Sequence, residues 1–138
     1  MSMEENKALV RRAYEELNKG NLDGMDEVFA TDVIVHALGG REAHGLEEGK
    51  QLFAKLWHAF PDHHETVDDI VAEGDKVVTR ARWMGTHQGE FQGMAPTGKH
   101  VTLKAITIYR IIGGKIVELW EEADILGMMQ QLGVIPSP

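Results

Sequence analysis

Apolar residues recur at helical spacing through the first stretch of the chain. Ala8, Leu9, Val10, Ala13, Tyr14 and Leu17 predict a helix over Met3 to Lys19, and Gly20 supplies its stop. Leu22, Met25, Val28 and Phe29 predict a second, shorter helix over Leu22 to Phe29. Val33 to His36 then reads as a short strand, closed by a glycine turn at Gly39-Gly40. A third helix is predicted from Gly45 to Phe60. Leu46, Phe53, Leu56, Trp57 and Phe60 form its apolar stripe, and Pro61 ends it.

Past Pro61 the period drops towards two. Glu65 to Ala72 alternates weakly, and Gly74-Asp75 reads as a hairpin turn. Lys76 to His87 is a strand rich in Val, Thr and Trp. Gly89 to Gly98 is a loop punctuated by glycine and proline. Val101, Leu103, Ala105, Thr107 and Tyr109 alternate in a strand over Lys99 to Ile112. A Gly113-Gly114 turn leads to a last strand over Ile116 to Asp124 and a short helix over Ile125 to Leu132. Helices therefore come first and an antiparallel meander follows. This is an α+β arrangement in one domain, with helices packed on one face of a curved sheet. Such a sheet, covered by helices, encloses a cone whose inside is an apolar pocket.

Composition narrows the partners. The 138 residues suit a single domain, and 43% hydrophobic residues can fill a core. There is no cysteine, so disulfides, thiolate metal sites and cysteine nucleophiles are excluded. The net charge of −8 repels phosphate backbones and argues against nucleic acid. No apolar run approaches the ~18–20 residues of a membrane span, and MSMEENK lacks a signal-peptide core. A cytoplasmic role on a small molecule is the expectation.

Several segments together resemble the NTF2-like cone fold and, within it, the SnoaL-like polyketide cyclase (ester cyclase) family. They are Leu17-Asn18-Lys19-Gly20-Asn21-Leu22-Asp23, Phe29-Ala30-Thr31-Asp32-Val33 and Phe60-Pro61-Asp62. More specific are Gly85-Thr86-His87-Gln88-Gly89-Glu90-Phe91 with Pro96-Thr97-Gly98-Lys99, and Gly114-Lys115-Ile116-Val117-Glu118 running on to Trp120 and Asp124. Gln131-Leu132-Gly133 closes the match, which covers nearly the whole chain. The resemblance implies a cofactor-free, metal-free homodimer that pairs through its open sheet face. It also implies acid/base catalysis on a carbonyl compound, with the intramolecular aldol cyclisation of a polyketide ester as type reaction. Other isomerase, hydrolase or lyase chemistry, or a non-catalytic ligand-binding dimer, are the alternatives.

Asp124 is the first catalytic candidate. It ends an apolar strand beside Trp120, where lost hydration raises a carboxyl pKa. The resemblance places the acid/base there. An aspartate just before Ile125 also suits the N-cap of the last helix, and both readings stand at this point. His36, at the end of the first strand, is a candidate hydrogen-bond donor or proton shuttle. Arg80 and Arg82 share strand parity. Inward, one could hold an enolate oxygen; outward, both are solvated and Thr79, Ala81 and Trp83 face in. Tyr14, Trp57, His87, Phe91 and Trp120 are candidate pocket residues for a flat, apolar or polycyclic carbonyl ligand.

Sister enzymes of the cone fold sharpen this by what is missing. The base of ketosteroid isomerase falls at Ala37 and its oxyanion acid at Thr107. The Arg-x-Asp pair of limonene epoxide hydrolase falls on Arg80-Ala81-Arg82, where arginine replaces the carboxylate. His58, Asp62, His63 and His64 lack metal-ligand spacing, so no metal is expected.

Overall fold

A computed structural model describes residues 2–37 and 40–137. Helix α1 runs from Met3 to Lys19. Ser2 opens it with a reciprocal cap: the Glu5 N–H donates to Ser2 Oγ and the Ser2 N–H to Glu5 Oε1, both at 3.1 Å. Gly20 closes it in the left-handed conformation. The predicted second helix shrinks to a single 3-10 turn, Asp23–Glu27. Its apolar residues Met25 and Val28 are buried, but Phe29 already belongs to a strand. Strand β1 spans Phe29–His36, longer than the predicted Val33 to His36 because Phe29 already pairs with Ile116 of the last strand.

A short strand β2, Glu42–His44, follows, then helix α2, Leu46–Ala59. Three residues reading Glu-Ala-His leave no periodicity from which β2 could be predicted. The predicted turn at Gly39-Gly40 falls partly outside the described residues. Strands β3 (His64–Glu73), β4 (Lys76–Thr86), β5 (His100–Ile112) and β6 (Lys115–Ala123) form the meander, and α3 (Ile125–Leu132) ends it.

Among the described residues the strands form one sheet in the order β2-β1-β6-β5-β4-β3. All pairings are antiparallel except β1 with β6. Alternation sets the faces: Val77, Thr79, Ala81 and Trp83 of β4 and Val101 to Ile111 of β5 bury every second residue. β3 alternates weakly because it bulges. Val67 pairs with Ala81 and Asp69 with Arg80, so Asp68 is one residue too many. Glu65 and Val67 before the bulge, and Ile70 and Ala72 after it, share the inner face.

The helices cover that face. One buried cluster joins α1 (Val10, Ala13, Tyr14) to Val33, Val77, Tyr109 and Leu119. A second joins Phe60, Trp83, Leu103, Met128 and Leu132. The family-like segment around Gly85 and Gly89 is explained by close approach. A Cβ on Gly85 would lie 2.9 Å from Phe60 Cβ, and one on Gly89 would lie 2.4 Å from the His58 carbonyl oxygen. Both Gln88 and Gly89 donate their N–H to the Ala59 carbonyl, at 2.9 and 3.0 Å. The loop that follows β4 is thereby fastened to the end of α2.

Candidate active site

A cavity of about 660 Å³ lies between the helices and the inner sheet face and touches both buried clusters. Its size suits a drug-sized or polycyclic ligand. One wall is an aromatic ladder. Phe53 stacks on Trp57 with ring centres 6.3 Å apart, and Trp57 stacks on His63 at 5.2 Å and 7°. Trp83, Leu103, Phe91 and Met128 continue the apolar lining.

Two carboxyl groups interrupt it. Glu65 on β3 and Glu121 on β6 both line the cavity. Among the described residues neither side chain has a hydrogen-bond partner. Burial raises the pKa of Glu65 to about 8, helped by the nearby charge of Glu121. Burial alone raises Glu121 to about 7. Behind them Tyr109 donates to the Tyr14 hydroxyl at 2.8 Å, and Tyr14 lies 2.7 Å from Thr79 Oγ1. Burial holds both tyrosines well above their usual pKa, so they stay protonated. Near neutral pH the cavity thus carries a Glu65 carboxyl that is mostly protonated and a Glu121 carboxyl that is about half ionised, in a poorly hydrated setting.

The structure distributes the predicted site residues differently from the sequence expectation. Asp124 is exposed and does not line the cavity. Its Oδ1 accepts the Gly127 N–H at 2.9 Å, which makes it the N-cap of α3 and corrects the acid/base assignment. Arg80 and Arg82 point to the outer face, away from any enolate, which corrects both. The bulge turns Asp68 and Asp69 the same way, and they take these arginines. Arg82 binds Asp68 through Nε at 2.8 Å and Nη2 at 2.9 Å, and Arg80 Nε binds Asp69 at 2.7 Å.

His36 and Trp120 lie on that outer face too, in register and stacked at 5.5 Å and 7°. His36 Nε2 lies 2.8 Å from Glu118, and this bond holds the Glu118 carboxyl below its usual range. Both rings line a second hollow of about 510 Å³ that shares Ala37, Arg41 and Glu121 with the main cavity. His87 is fully buried, between Phe60 and Phe91, and does not line the cavity. The Thr97 N–H donates to its Nδ1 at 3.2 Å, leaving the ring proton on Nε2. It fastens the Gly89–Gly98 loop. Tyr14 stands behind the wall, whereas Trp57 and Phe91 form part of it. Asp62 is occupied as a cap for Thr86, and no three His, Asp or Glu side chains gather to hold a metal among the described residues.

The residues missed by sequence reading are Glu65 and Glu121. Each shares strand phase with apolar inward positions: Glu65 with Val67, Glu121 with Leu119 and Ala123. A lone carboxylate in the inward phase was the available signal.

A family model for the SnoaL-like polyketide cyclases matches residues 8–132. The chain is 30% identical over 131 residues to aklanonic acid methyl ester cyclase DnrD of Streptomyces peucetius, covering 91% of this chain and 88% of that one. It is 27% identical over 126 residues to the nogalonic acid methyl ester cyclase of Streptomyces nogalater, covering 84% and 88%. The solved structure of IdmH from Streptomyces antibioticus superposes with a TM-score of 0.83 at 33% identity, covering 93% of this chain and 98% of that one. The chain belongs to the SnoaL-like polyketide cyclase family.

Proposed function

We propose that this chain catalyses the cofactor-free intramolecular aldol cyclisation of a polyketide-type ester, with Glu121 as base and Glu65 as acid. One observation carries the reading: two carboxyls without hydrogen-bond partners among the described residues face an aromatic-walled cavity of about 660 Å³. The lower pKa of Glu121 makes it the group ready to accept a proton, and the higher pKa of Glu65 makes it the group ready to give one.

In the first step the Glu121 carboxylate removes a proton from the carbon alpha to a carbonyl, leaving an enolate. The enolate carbon then attacks a second carbonyl of the same molecule. The new C–C bond takes the electron pair of the enolate, and the attacked oxygen takes the proton of Glu65. Product and substrate are isomers. Glu121 then holds a proton and Glu65 a negative charge, and one proton passing back through cavity water resets the pair. The ladder of Phe53, Trp57 and His63 holds the chain folded, where positioning contributes several kcal/mol.

Incubation with aklanonic and nogalonic acid methyl esters tests this by chromatography and mass. A cyclised product of unchanged mass is expected from at least one. Glu121→Gln and Glu65→Gln should each lower kcat by about 10²-fold or more. Wild-type turnover in both variants, or tight binding of both esters without conversion, would overturn it.

A homodimer through the outer sheet face accompanies the proposal. Val71, Ile106 and Ile112 expose more than half of their surface there. Sedimentation as a monomer at micromolar concentration would refute it. No helix among the described residues is long and apolar enough to cross a membrane. A cytoplasmic location is proposed from the cysteine-free, acidic composition.

A further inference from the structure

Glu65 sits on β3, at one edge of the sheet. In an antiparallel ladder the N–H and C=O of one residue point to the same side. At Glu65 that side is the open edge, and a single side chain takes both groups. The Glu65 N–H donates to Asn18 Oδ1 at 2.7 Å, and Asn18 Nδ2 donates to the Glu65 carbonyl at 2.9 Å. Next to it, His63 Nε2 donates to the Leu17 carbonyl at 2.8 Å. The last turn of α1 therefore substitutes for a neighbouring strand over the stretch that carries the acid. Leu17, Asn18, His63 and Glu65 all line the cavity, so this seam is also part of its wall.

We propose that Asn18 is a positioning residue for Glu65: its amide clamps the edge strand so that the carboxyl stays directed into the cavity. The inference rests on the acid role proposed above. A strand end without its neighbour frays and admits water. Water at that seam would rehydrate the Glu65 carboxylate and let the side chain leave the line between base and substrate. A simple structural tie between helix and sheet would move stability alone; a positioning residue also moves the titration and the turnover of the group it holds.

Protein carrying [δ-13C]glutamate separates the two by NMR titration, with the Glu65 signal assigned through Glu65→Gln. Asn18→Ala should lower the Glu65 midpoint by about 1 pH unit or more as water enters. It should lower kcat by tenfold to a hundredfold on the converted ester, with KM within about twofold. Asn18→Ser removes the amide that spans both the N–H and the carbonyl of Glu65 without adding a charge, so its midpoint should fall in the same direction as that of Asn18→Ala. A folded Asn18→Ala protein with wild-type midpoint and kcat overturns the inference. If Asn18→Ala fails to fold, a wild-type midpoint and kcat in folded Asn18→Ser do so instead. Full turnover in Glu65→Gln would remove the acid role, whereas the titration still reports whether Asn18 holds the carboxyl.

Discussion

Replacing Glu65 by glutamine should make the protein more stable, and by an amount that depends on pH. In the folded chain this carboxyl titrates at about 8, against 4.5 when unconstrained. Below pH 4.5 both states are protonated and the group is neutral with respect to stability. Between 4.5 and about 8 the unfolded chain has released a proton that the folded chain still holds. Raising the pH therefore favours unfolding throughout that window, and the penalty levels off above it. At about 1.4 kcal/mol per pH unit the full gap amounts to roughly 5 kcal/mol. Cavity water and relaxation reduce it, so roughly 2–4 kcal/mol is the expected gain for Glu65→Gln at pH 8.5. At pH 4 the gain should vanish. Urea unfolding of wild type and variant at steps from pH 4 to 9 measures the difference directly. Parallel stability curves would show that Glu65 is as well hydrated folded as unfolded, and the acid/base argument would lose its physical basis.

Two further outcomes follow from residues that the structure moves out of the chemistry. Asp124→Ala should cost about 1 kcal/mol through loss of the α3 cap and leave ester turnover unchanged; a thousandfold loss of kcat would return this carboxylate to the mechanism. His87→Ala should cost about 3 kcal/mol in thermal unfolding and expose the Gly89–Gly98 loop to protease, because a buried ring and the Thr97 acceptor disappear together. Unchanged melting would refute its role as the fastener of that loop.

The large elements were legible because each writes its own period. α1 shows its apolar face, and β4 and β5 alternate without a break. β2 was not legible, since its three residues are held by β1 rather than by any pattern of their own. Over Leu22–Phe29 the helix gives way to a 3-10 turn running into a strand, because four apolar residues at helical spacing fit both. The site failed for a related reason. Asp124 stands next to a strand end and a helix start, and the cap geometry wins once the Gly127 N–H needs an acceptor. Arg80 and Arg82 left two facings open, and only the pairing with β3 decides them. Glu65 was hidden by the bulge, which scrambles the alternation that would have marked it as inward. Glu121 was legible in principle, one turn of the pleat beyond Leu119, but adjacent Glu122 makes the pair look like ordinary surface charge.

The surplus residue at Asp68 has a bearing on how this molecule meets others. A border strand offers its unpaired amides to any passing chain, and straight borders are where sheets grow into aggregates. Here the border is kinked at Asp68 and already occupied upstream by Asn18 and His63. Removing Asp68 would leave Val67 opposite Ala81 and Asp69 opposite Arg80 in unbroken alternation, straightening the border while Ile70 and Ala72 keep facing the hollow. A single deletion there should therefore spare the hollow, yet take from Arg82 its carboxylate partner and open a route to fibrous assembly.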